Sequence, residues 1–125
     1  MITKQDVREF IESPGFTQLV RTGKISDTTL KQLQIDIING YGEIIPETGG
    51  YQKIRCGGEG RGKRGGWRVV FADYPAYQVS VIVFAYPKNT KENLTRIEQQ
   101  QLKKTKQSLD REVRDRYESK NKTEK

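Results

Sequence analysis

A chain of 125 residues fits one domain and leaves no room for two independent cores. Its formal net charge is +7, with no histidine and a single cysteine, which excludes a Ser-His-Asp triad, a Cys-His dyad, histidine-based nuclease chemistry, a zinc site and an internal disulfide. No window approaches the roughly 18 apolar residues of a membrane span, and MITKQDVREF lacks the apolar stretch of a secretory signal, so a cytoplasmic protein with no membrane partner is expected.

VREFIE (7 to 12) reads as a short strand stopped by Ser13-Pro14-Gly15. Phe16, Leu19 and Val20 suggest a brief helix ended by Gly23. Ser26 or Asp27 is an N-cap for a second helix, in which Leu30, Leu33 and Ile37 recur at helical spacing and Gly40 caps the end. GYGEIIPETGG (40 to 50) reads as a loop. Next come YQKIRC (51 to 56) as a strand, a basic glycine loop over 57 to 66, WRVVFADY (67 to 74) as a strand, and a turn at Pro75-Ala76. YQVSVIVFAY (77 to 86) is apolar on both parities, the pattern of a strand buried on both faces. From Lys91 a long helix fits, with Leu94, Ile97, Leu102, Leu109, Val113 and Tyr117 in a thin stripe expected to dock only at its first turns. Only five of the 29 Leu, Ile, Val and Phe residues lie after residue 87, so the last third is expected to be an appendage. The order predicts an α+β domain over 1–118, with 119–125 fraying.

Charge is uneven along the chain. Residues 51 to 68 carry Lys53, Arg55, Arg61, Lys63, Arg64 and Arg68 against Glu59 alone, interleaved with six of the twelve glycines. One-sign charge at that density calls for an anionic partner. Gly57 through Gly62-Lys63 and Gly60-x-Gly62-x-x-Gly65 imitate two phosphate-binding motifs, but Arg64 stands where a Ser or Thr is needed and a strand follows where a helix is needed, so both fail. What survives is a hairpin with six cations. Alternation puts Lys53 and Arg55 on one face, and Arg68 opens the next strand. Cleavage of RNA by its own 2′-hydroxyl needs a base, an acid and cations for the phosphorane charge. A lysine crowded by cations is suited to be the base, and arginine to clamping phosphate. Tyr51, Trp67 and Tyr86 are candidates for stacking on bases, with core packing the alternative for each. Neither a cofactor nor a metal is implied.

The run IPETGGYQKIRCGGEGRGKRGGWRVVF followed by VFAYPKNTKENL resembles the HigB-type branch of the RelE/ParE toxin superfamily over about residues 8 to 113. It has a glycine-rich basic loop before G-G-x-R and a K-N-x-x-E-(D/N)-L motif closing the last strand. The resemblance implies the microbial RNase (RelE-like) fold: an N-terminal strand and two helices, an antiparallel meander and a C-terminal helix. It also implies metal-independent, ribosome-dependent mRNA cleavage, and partners in the ribosome, mRNA and a cognate antitoxin of the helix-turn-helix HigA type. Carried over by motif, Lys53 matches a strand lysine, Arg55 stands where a second would be, and Arg68 matches the motif arginine; these three are the catalytic candidates. Asn89 occupies the place of an expected arginine, and no tyrosine follows Asn93-Leu94. Lys88, Lys91 and Tyr86, with the loop residues Arg61, Lys63 and Arg64, are the candidates for binding RNA or ribosome. Two other functions fit the same sequence: a ParE-like gyrase inhibitor and a non-catalytic RNA-binding module.

Overall fold

The structure is a computed structural model that describes residues 7–57, 66–90 and 93–123, with side chains up to Glu118. Strand β1 (Glu9–Glu12) leads into α1 (Pro14–Arg21), where the Ser13 hydroxyl accepts from the Phe16 N–H and Pro14 takes the first turn. Ser26 caps α2 (Asp27–Ile38) in the same way through the Thr29 N–H. This helix ends at Asn39, and Gly40 follows in the left-handed region at φ 80°, where glycine carries no Cβ penalty.

Segment 40–50 is not wholly loop. Glu43–Ile44 forms a short strand, β2, on β3 (Gln52–Cys56). Gly42 is what lets it approach: a Cβ there would stand 2.6 Å from both Gln52 Oε1 and Phe71 Cζ. β4 (Trp67–Tyr74) and β5 (Val79–Pro87) complete a five-stranded sheet of order β1-β5-β4-β3-β2, antiparallel except for β1 on β5. β5 has neighbours on both sides, as its sequence suggests. The middle position nevertheless belongs to β4, whose Val69, Val70, Phe71 and Ala72 are all buried.

Each face of the sheet carries its own core. On one, Phe16, Ile25, Leu33 and Ile37 pack against Ile54, Val69, Phe71 and Ile82. On the other, Tyr51, Val70, Ala72 and Tyr86 meet Ile45, Leu94 and Leu102, the last from α3 (Arg96–Thr123). The last third is therefore part of the core, not an appendage, and α3 docks along its length while Ile97 in its first turn is 67% exposed. Counting aliphatics misses this because polar side chains carry much of the contact. Tyr51 and Thr105 share a hydrogen bond of 3.0 Å, and the Tyr74 hydroxyl donates to Asp110 at 2.6 Å. Tyr117 donates to Glu9 and Tyr77 to Glu118, their rings 6.2 Å apart. Lys106, 8% exposed, lays its stem over Gly49 and Gly50, puts its ammonium 5.2 Å from the Tyr74 ring centre, and pairs with Asp110 at 2.7 Å. Among the described residues no helix is long and apolar enough to cross a membrane.

Candidate nucleic-acid interface

Alternation along β3 sends Ile54 and Cys56 into the first core and leaves Lys53 and Arg55 on the α3 side with Tyr51. Cross-strand register then decides their company. Arg55 stands directly opposite Arg68, and Arg68 directly opposite Tyr86, a rung across three strands. Lys53 lies two register positions nearer the core, opposite Val70 on one side and Glu43 on the other. The three catalytic candidates thus share one face, near the ends of β3 and β4 that the glycine-rich segment joins.

Tyr86 reaches this rung through an irregularity in β5. Val70 pairs with Phe84 but Phe71 with Ile82, so Val83 is an extra residue and the alternation changes side across it. Ile82 accordingly faces the first core and Tyr86 the second, although four positions apart. The Tyr86 ring is 6% exposed and tilts against Phe84. It supports the rung from the core and presents no open face, which corrects its expected place among the base-stacking residues. Tyr51 is buried too, and Trp67 packs against the first core.

Two guanidinium groups on opposed strand positions repel each other. Among the described residues neither has an ion-pair partner, and the Arg68 Nε is buried without a hydrogen-bond partner. The Lys53 ammonium donates to Asn93 Oδ1 at 3.4 Å, which ties the rung to the segment entering α3. Lys88 stands at the foot of the glycine hairpin, its N–H donating to the Gly66 carbonyl at 2.9 Å. Arg61, Lys63, Arg64 and Lys91 lie outside the described residues.

Where β2 stops after pairing with Gln52 and Lys53, the edge of β3 opens into a cleft of about 270 Å³. Lys53, Arg55 and Arg68 line it together with Ile54 and three residues that sequence reasoning passed over, Asp36, Tyr41 and Glu43. Their signal was weak, since two are ordinary surface carboxylates and the third sits in a glycine-rich loop. A larger, mainly apolar cavity of about 790 Å³ lies elsewhere, between α3 and the β1–β5 side. The cleft can hold an anion between paired guanidiniums, with an ammonium two register positions away on the same face. A family model described as RelE toxin of the RelE / RelB toxin-antitoxin system matches residues 10–124.

Proposed function

Since the chain belongs to the RelE toxin family, the toxin half of a toxin–antitoxin system, we propose that its cation rung works on RNA, cleaving mRNA on the ribosome. Arg55 and Arg68 grip the non-bridging oxygens of the scissile phosphate, and Lys53 takes the proton from the 2′-hydroxyl. That oxygen attacks phosphorus as the bond to the 5′-oxygen breaks, the departing oxygen takes a proton from water, and a 2′,3′-cyclic phosphate and a 5′-hydroxyl result. The observation that carries this reading is the direct opposition of Arg55 and Arg68, a placement that lowers the stability of the sheet and makes sense when an anion bridges the pair. Lys88 and the loop cations Arg61, Lys63, Arg64 and Lys91 hold flanking backbone. The G-G-W-R and K-N-T-K-E-N-L runs favour the HigB-type branch, and with it an antitoxin of the helix-turn-helix HigA type.

Expression without antitoxin, followed by mapping of mRNA 5′ ends, tests the reading. Cuts inside translated codons that disappear when initiation is blocked are expected. DNA breaks without RNA cuts would instead indicate a gyrase poison, and growth arrest with intact RNA a non-catalytic binder.

A further inference from the structure

The cleft has a rim whose chemistry phosphate does not explain. Two carboxylates, Asp36 and Glu43, line it beside the cations, and carboxylates repel the oxygens of a phosphate. Tyr41 lines it too, 66% exposed. The other large apolar side chains exposed among the described residues, Val7, Ile35, Ile44 and Ile97, do not.

Tyr41 is also held on a fixed backbone. Its N–H donates to the Asp36 carbonyl at 3.1 Å, closing the end of α2, with Gly40 beside it donating to Ile37 at 3.0 Å. On its other side Gly42 is pressed against Gln52 and Phe71 with no space for a Cβ. A ring carried on such a turn loses little freedom when a flat partner covers it. Asp36 is oriented in turn, one carboxylate oxygen accepting from Gln32 Nε2 at 2.9 Å.

We infer that Tyr41 is the stacking platform for one nucleobase of the RNA, next to the phosphate held by Arg55 and Arg68, and that Asp36 and Glu43 accept hydrogen bonds from the edge of that base. This rests on the reading of the cleft as an RNA site. Cations hold the backbone, an aromatic face holds a base of any identity, and acceptors on the rim select among bases. Carboxylates favour an edge rich in donors. Guanine offers an imino and an amino group side by side, whereas uracil flanks one imino group with two carbonyls, so guanine is preferred and uracil disfavoured.

The test uses the full chain and single-stranded 2′-O-methyl RNA tetramers, which cannot be cleaved: one with a single guanine among uridines, one all-uridine, and one abasic at the guanine position. Affinities are compared for the wild type, Tyr41→Ala, Tyr41→Phe and the pair Asp36→Asn and Glu43→Gln. Tyr41→Ala weakens the guanine tetramer by roughly ten- to a hundredfold, Tyr41→Phe binds like the wild type, and on the abasic tetramer the two tyrosine variants are equal. The carboxylate variants bring guanine and uridine tetramers to similar affinities. Equal binding of the guanine tetramer by wild type and Tyr41→Ala, or an equal loss on the abasic one, overturns the inference, as does a wild-type chain with no preference for guanine. So does a Tyr41→Ala variant that keeps its RNA affinity and escapes neutralisation by the antitoxin, which would place the ring in a protein interface. Arg68→Ala separates this from the parent reading: undiminished tetramer binding by that variant refutes the cation site itself, whatever Tyr41 does.

Discussion

Arg55 and Arg68 oppose each other across β3 and β4, and a like-charged cross-strand pair costs up to about 1 kcal/mol. Function and stability therefore pull apart at this rung. On the proposed mechanism Arg68→Ala removes about 2 to 4 kcal/mol of transition-state stabilisation and abolishes toxicity. Its melting temperature is expected to equal or exceed that of the wild type, because the change relieves repulsion and a buried, unpartnered Nε. Growth after induction and thermal denaturation check the two halves; a toxic, fully folded Arg68→Ala variant contradicts the assignment. Lys53 separates charge from proton transfer. Lys53→Arg places a permanent positive charge there that cannot accept a proton near neutral pH, so it is expected to be as inactive as Lys53→Ala in single-turnover cleavage of ribosome-bound mRNA. Near-normal rates for Lys53→Arg would make the residue an electrostatic anchor only.

At the scale of elements, α3 is fastened by four tyrosines whose hydroxyls all hold their protons above the ordinary value. Burial is the main cause for Tyr51, Tyr74 and Tyr117, with hydrogen bonds to Asp110 and Glu9 adding for the last two. For the half-buried Tyr77 the hydrogen bond to Glu118 comes first. A folded-state value above the unfolded one means that the native chain binds these protons more tightly. Their contribution is thus complete below about pH 10, the ordinary tyrosine value, and is lost as pH rises beyond it and the unfolded chain ionises first. Melting temperatures between pH 8 and 11.5 are expected to fall steeply above about pH 10, and less steeply in Tyr74→Phe. Lys106→Ala is expected to cost about 1 to 2 kcal/mol, through the lost stem and ring contacts more than through its i,i+4 ion pair with the half-exposed Asp110. Denaturant unfolding measures it, with Lys106→Met, which keeps the stem, losing less.

For the whole molecule, the two-sided core makes α3 a condition of folding. A chain ended after Thr95 exposes Val70, Ala72, Tyr51 and Tyr86 to water and is expected not to yield folded protein. One ended after Glu118 keeps each described α3 contact and is expected to melt within a few degrees of the full chain. Circular dichroism of the two truncations decides. A soluble, cooperative fold for the shorter chain would return α3 to the status of an appendage.

Much of this was legible in local sequence. Alternation in QKIRC placed Lys53 and Arg55 on one face, Ser26 and Gly40 marked the ends of α2, and the cation density of 51 to 68 picked out the candidate site, because each signal depends only on residues a few positions apart. The rest depended on pairings between distant segments. Whether Tyr86 meets Arg68 or the opposite core turns on the extra residue at Val83, which no periodicity within β5 reveals. Which aromatics are buried and which stands open at the cleft turns on how β2, α2 and α3 cover the sheet, so Tyr51 and Tyr86 went to the core and Tyr41 to the rim. The docking of α3 turned on tyrosines and one lysine stem, which a count of aliphatic residues does not register as core until the partner surface is in place.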